Sequence, residues 1–106
     1  MMLSRASVSC VVFETKDEAM DHGRGGIWYE WKENSQHNFP EDVVRVWIVM
    51  PVFKNGWEMA WDTDMPNRWG AVWRLTGTRE KPTLGPSLHW IETWHGWLRD
   101  GELTSC

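Results

Sequence analysis

Cysteine is nearly absent from the 106 residues: only Cys10 and Cys106 occur, near opposite ends and without a Cys-x-x-Cys pair. That excludes a disulfide-stapled scaffold and a zinc knuckle, and it suits a reducing cytoplasm. Long apolar runs are missing too. Nothing approaches the roughly 18 residues of a bilayer-spanning helix, and Met1 to Cys10 lacks the sustained apolar stretch of a secretory signal. The chain therefore reads as unexported, cytoplasmic and without a membrane partner. Clustered positive charge is a third absence. Eleven Lys and Arg are scattered among 15 Asp and Glu, for a formal charge of -4, which argues against nucleic acid, a ligand held mainly by massed cations. The histidines, His22, His37, His89 and His95, form no i, i+4 pair and none flanks a cysteine at zinc-ligand spacing. No metal and no other cofactor is expected. Glycines 23, 25 and 26 are not followed by Gly-Lys-Ser/Thr, so a phosphate loop is excluded as well.

Tryptophan is what the chain has in excess. Ten indoles, with 42% hydrophobic and 25% charged residues overall, supply apolar area enough for one Trp-rich β domain spanning 1–106, too short for two independent cores. The rings can provide the bulk of a thin core, or two or three of them can line a groove for a ligand.

Alternation and turn chemistry place the elements. Residues 5–13 read as a first strand; Thr15-Lys-Asp-Glu18 is a capping box opening a short surface helix that stops at Gly23. A half-buried strand follows over 27–32, with Ile27, Tyr29 and Trp31 on one face, then a loop over 33–42. Residues 43–49 are the most apolar segment and read as a central strand ending near Pro51. Asn55-Gly56 predicts a tight hairpin between Val52-Phe53 and 57–61. A loop through Asn67 leads to a strand over 71–75, an irregular crossing from Gly77 to Pro86, and an extended alternating run over 89–95. Arg99-Asp100-Gly101 marks a second hairpin. The expectation is a mainly β fold: an antiparallel sheet forming a small sandwich or partial barrel, with one short surface helix.

The last third holds three short patterns in order: Trp73-Arg-Leu75, Pro82-Thr-Leu-Gly-Pro-Ser-Leu88 and His95-Gly-Trp-Leu-Arg-Asp-Gly101. Over residues 73–103 this resembles a family of small phage and bacterial proteins of unassigned function, some mislabelled ammonia monooxygenase. Relatives in bacterial ubiquitin-like operons are suspected serine peptidases. The resemblance implies a nucleophile at Ser87, a base at His95 and a closing hairpin at Arg99-Asp100-Gly101. Family members commonly carry cysteines in mid-chain and just before the histidine. Met50-Pro51 and Trp94 stand there in this chain, which argues against a family zinc site.

A serine becomes a nucleophile when a base takes its proton, and an imidazole is the usual base. Eight residues of straight strand would hold Ser87 and His95 roughly 26 Å apart, so catalysis requires the chain to turn back between them. His89 shares a face with Ser87 in an extended segment and is the rival base. Glu92, Thr83 and Asp100 are the candidates for a third, orienting group. Arg74 and Arg99 could hold a substrate carboxylate, with Trp90, Trp94 and Trp97 as binding surfaces. The structural alternatives are a turn or bulge role for Ser87 and a partly buried, backbone-bridging role for His95. Three functions follow: a serine-type hydrolase acting on a protein or peptide; a non-catalytic phage-encoded module or inhibitor that engages a host protein through Trp and Arg; or a structural phage component. The oligomeric state stays open, since an exposed strand edge or Trp patch could join copies.

Overall fold

The computed structural model describes residues 7–63 and 72–106. The expectations that fall on Arg5, Asp64, Asn67, Trp69 and Ala71 lie outside the described residues.

Nine strands and one helix are described: β1 (Ser7–Ser9), β2 (Val11–Val12), α1 (Lys16–His22), β3 (Gly26–Trp31), β4 (Val43–Met50), β5 (Trp57–Asp62), β6 (Arg74–Gly77), β7 (Pro82–Trp90), β8 (Trp94–Arg99) and β9 (Glu102–Ser105). They form two sheets, ordered β1-β9-β8-β7-β6 and β2-β3-β4-β5. The inner faces share one buried cluster, to which β3 and β4 contribute Ile27, Val46 and Ile48 and the other sheet contributes Leu84, Leu88, Leu98 and Leu103. The mainly β sandwich is thus the observed architecture, and the described strands close no barrel.

The expected first strand is two. Its ladder breaks at Cys10, so that β1 pairs antiparallel with β9 while β2 pairs parallel with β3. The Cys10 amide donates to the Gly101 carbonyl at 2.7 Å and the Val11 amide to Gly25 at 3.1 Å, which lets one short segment serve both sheets. The capping box forms as expected: Glu18 N–H donates to Thr15 Oγ1 at 3.2 Å and Thr15 N–H to Glu18 at 3.2 Å. Helix α1 covers the outer face of the smaller sheet, where Ala19, Trp28 and Val49 are buried together. Trp28 and Trp47 are cross-strand partners whose rings stack 5.4 Å apart, as period-2 alternation requires once Ile27 and Ile48 point inward. Gly26 lets the helix sit this close, because a Cβ there would lie 2.4 Å from the Ala19 carbonyl oxygen.

Three turns depart from expectation or refine it. The β4–β5 hairpin exists, but Met50 pairs with Trp57, so its loop is 51–56 and Val52-Phe53 belong to the loop. Pro51 offers no amide to prolong the ladder past Met50. The expected irregular crossing over 77–86 is a hairpin in which β6 pairs with β7 from Gly77↔Pro82 to Arg74↔Gly85. Pro86 is tolerated in β7 because the β7–β8 register shifts between Leu84 and Leu88, which removes the need for its missing donor. The extended run over 89–95 is instead a reversal: His89 pairs with His95 and Trp90 with Trp94 around the turn Ile91-Glu92-Thr93. By contrast Asp100-Gly101 forms the expected two-residue turn, with φ of 48° and 76° and Arg99 opposite Glu102, the positive-φ pair of a type I′ hairpin.

Tryptophan is less of a core residue than its number suggests. Trp28 and Trp61 are buried, whereas the other described rings are half-buried or, at Trp57, exposed. Aliphatic side chains make up most of the shared core, with Trp61 the one indole buried among them in the described residues. Beside this core, Gly96 leaves no room for a side chain: a Cβ would meet the Thr104 carbonyl oxygen at 2.1 Å and the Trp94 ring at 2.7 Å. Gly96→Ala is expected to destabilise the fold by about 2–3 kcal/mol, read as a lower denaturant midpoint with unchanged slope; an unchanged midpoint would contradict the packing described.

Candidate active site

The period-2 rule applied to β7, β8 and β9 sorts their side chains to two sides. Leu88, Gly96, Leu98 and Leu103 turn inward and are buried, whereas His89, His95, Arg99 and Glu102 are exposed. The reversal at 91–93 then sets β8 antiparallel beside β7, so residues far along an imagined straight strand become neighbours on the outer face. Ser87 Oγ lies 3.3 Å from His95 Nε2. That is slightly beyond the 2.6–3.2 Å of a tight hydrogen bond, a looseness common in unliganded sites.

His89 reaches the same neighbourhood by ring contact, its centroid 4.9 Å from that of His95 at a 41° tilt. No hydrogen bond joins His89 to Ser87 among the described residues, so His95 and not His89 is the imidazole beside the serine. Ser87 lies in the stretch where the β7–β8 register shifts, the bulge position foreseen as its structural alternative. His95 is exposed, contrary to the partly buried, backbone-bridging alternative.

The three candidates for an orienting group do not meet His95. Asp100 N–H donates to Thr83 Oγ1 at 2.9 Å, which ties those two to each other across the hairpin end. Glu92 sits in the turn at φ 62°, without a described bond to the ring. Cys106 takes the place instead: its Sγ is 3.4 Å from His95 Nδ1, and its amide donates to the His95 carbonyl at 3.0 Å. A second residue that the sequence patterns did not single out as functional is Trp73, whose Nε1–H donates to the Ser87 carbonyl at 2.8 Å. Register counting from the expected turn reaches Cys106, whereas Trp73 depends on the β6–β7 pairing that the structure shows. A two-residue turn at Asp100-Gly101 puts position 95 opposite 106, and the β6–β7 register sets Trp73 one step beyond the Arg74↔Gly85 pair.

Of the expected binding residues, Trp90 and Trp94 pack against the core cluster, since the parity that turns His89 and His95 outward turns them inward. Trp94 also lines, with His89, Glu92, Thr93 and His95, an open depression of about 290 Å³. Trp97 stays on the outer face, its ring centroid 6.1 Å from His95, with the Arg99 guanidinium 5.2 Å above it. Arg74 lines a different hollow, with Trp73, Pro40 and Glu41. Among the described residues no three His, Cys, Asp or Glu side chains converge as a metal site.

Ser87 and His95 are thus in contact on the solvent side of a β sandwich. Residues 56–106 match the family model of BubE, the bacterial ubiquitination-like system serine protease. The match contains every residue of the site and starts upstream of the resemblance noted from residue 73. No curated protein and no solved structure matches the chain. Among the described residues no helix is long and apolar enough to cross a membrane.

The two thiols differ in environment. Burial pushes the Cys10 thiol up to about 12, whereas Cys106 is exposed. Iodoacetamide at pH 8 is expected to modify Cys106 and spare Cys10 in the folded chain, with both modified in denaturant, as read by peptide mass mapping. The unfolded Cys10 thiol loses its proton at a lower pH than the folded one. The stabilising contribution of a neutral Cys10 is therefore complete below the ordinary thiol range and declines as pH rises from that range towards 12.

Proposed function

We propose that the protein is a serine-type hydrolase of the peptidase kind, acting in the cytoplasm on a protein or peptide, with Ser87 as nucleophile and His95 as general base. The observation that carries this reading is the 3.3 Å contact between Ser87 Oγ and His95 Nε2 on an exposed face, inside the segment that matches a serine protease family.

The chemistry balances with these two side chains and water. Ser87 Oγ attacks the substrate carbonyl carbon as its proton passes to Nε2; the carbonyl π pair moves onto oxygen. Collapse of the tetrahedral adduct breaks the carbon–nitrogen bond, and the leaving amine takes the proton from Nε2. Water then attacks the acyl-serine, giving its proton to Nε2, and Ser87 recovers a proton as the acid departs. The β7–β8 ladder pairs Leu84 with Leu98 and Leu88 with Gly96, so residues 85–87 face Trp97 alone. We assign the Ser87 amide, which lies in that register shift, as a donor to the oxyanion; Pro86 has none to give. Trp73 supports this role by holding the adjoining carbonyl. Trp97 and Arg99 flank the pair as an apolar and a cationic contact for an extended substrate.

A second reading, a non-catalytic binding module, draws support from the β4–β5 hairpin. Phe53 and Trp57 are 63% and 55% exposed there, and large exposed aromatics are frequent anchors of protein contacts. A fluorophosphonate probe separates the two. The hydrolase reading expects covalent labelling of the wild type at Ser87, lost in Ser87→Ala and reduced by about 10³-fold or more in His95→Ala. A wild type that resists the probe, together with a retained protein complex in Ser87→Ala, would favour the binding module.

A further inference from the structure

A neutral imidazole has one N–H, so its two nitrogens have opposite roles. His95 presents a hydroxyl at Nε2, 3.3 Å away, and a thiol at Nδ1, 3.4 Å away. If Ser87 gives its proton to Nε2, the ring proton must sit on Nδ1, where Cys106 Sγ is the hydrogen-bonding partner described. The opposite tautomer would have Nε2–H donating to Ser87 and the thiol donating to Nδ1, which would activate sulfur and leave the serine idle. The choice of tautomer thus decides which of two side chains is the nucleophile.

The thiol is held by the main chain. Strands β8 and β9 pair through Gly96↔Ser105, and the next step brings the Cys106 amide to the His95 carbonyl at 3.0 Å. Cys106 is therefore carried beside His95 by the ladder itself. The acidic side chains that might compete for Nδ1 do not bond to the ring: Asp100 is engaged through its backbone with Thr83, and Glu92 has no described bond.

We propose that Cys106 is the positioning residue of His95, its sulfur accepting the Nδ1 proton and so holding the tautomer whose Nε2 lone pair faces Ser87. The proposal rests on the Ser87–His95 reading above. A thiol is a weaker acceptor than the carboxylate usual at this place. The benefit is accordingly modest, about tenfold in rate, the size of one ordinary hydrogen bond.

The test uses the full chain and two readouts. One is the rate at which a fluorophosphonate labels Ser87. The other is the tautomer of the His95 ring, read from its ¹⁵N shifts at a pH where the ring is neutral. Cys106→Ala is expected to slow labelling about tenfold and to move the ring from the Nδ1–H form towards Nε2–H. Cys106→Ser is expected to recover most of both, since a hydroxyl also accepts, and Cys106→Asp to label at least as fast as wild type. Cys106 is exposed, so these variants should keep the wild-type circular dichroism. Unchanged labelling and an unchanged tautomer in Cys106→Ala would overturn the proposal, as would probe attachment at Cys106 that survives Ser87→Ala. The absence of any labelling of the wild type would count against the Ser87 nucleophile alone, because the shift of tautomer in Cys106→Ala would still establish the sulfur contact.

Discussion

Burial of Leu88, Leu98 and Leu103 against the facing sheet determines which side of β7, β8 and β9 meets water. Side chains alternate along a strand, and moving any one of these strands by a residue would exchange its leucines for its polar neighbours. The energetic penalty for exposing several leucines at once is large, roughly 1.5–3 kcal/mol for each. The outward projection of Ser87, His89, His95 and Trp97 follows from that constraint without any interaction of their own. The dyad is held by what lies behind it.

The same constraint explains why the turn at Ile91-Glu92-Thr93 is tolerated. Glu92 adopts φ 62°, a conformation that costs a residue with a Cβ roughly 1–2 kcal/mol. Trp90 and Trp94 pair across the turn and pack onto the core, and Thr93 N–H donates to the Trp90 carbonyl at 2.8 Å. Two indoles and a closed turn offset one strained residue. On the outer side of the same hairpin the two imidazoles come together, so the packing that closes the turn also assembles the site.

The main chain is tied on both sides of the Ser87–His95 contact. The Ser87 backbone is tied by the Trp73 indole and that of His95 by the Cys106 amide, so the two side chains are carried on strands whose register is set elsewhere. The smaller sheet provides the rigid support. Its inner face fills the shared core, and the β6–β7 turn is fastened to it where Tyr29 O–H donates to the Arg79 carbonyl at 2.7 Å and the Arg79 guanidinium lies 4.8 Å over the Trp31 ring.

The sequence by itself determined the mainly β architecture, the capped surface helix, the Asp100-Gly101 hairpin and the candidacy of Ser87 and His95. Each depends on local chemistry: period-2 alternation, a Thr-x-x-Glu cap, two residues that accept positive φ, and a short pattern shared with a family. Only the tertiary structure decided that residues 89–95 reverse, because Ile91-Glu92-Thr93 contains no glycine, proline or asparagine to announce a turn and the alternation continues through it. The same holds for the break at Cys10, which divides one β-prone segment between two sheets, and for the β6–β7 hairpin that carries Trp73 to Ser87. These outcomes depend on pairing partners distant in the chain, and no local pattern records which strand edge a residue will meet once the core has closed.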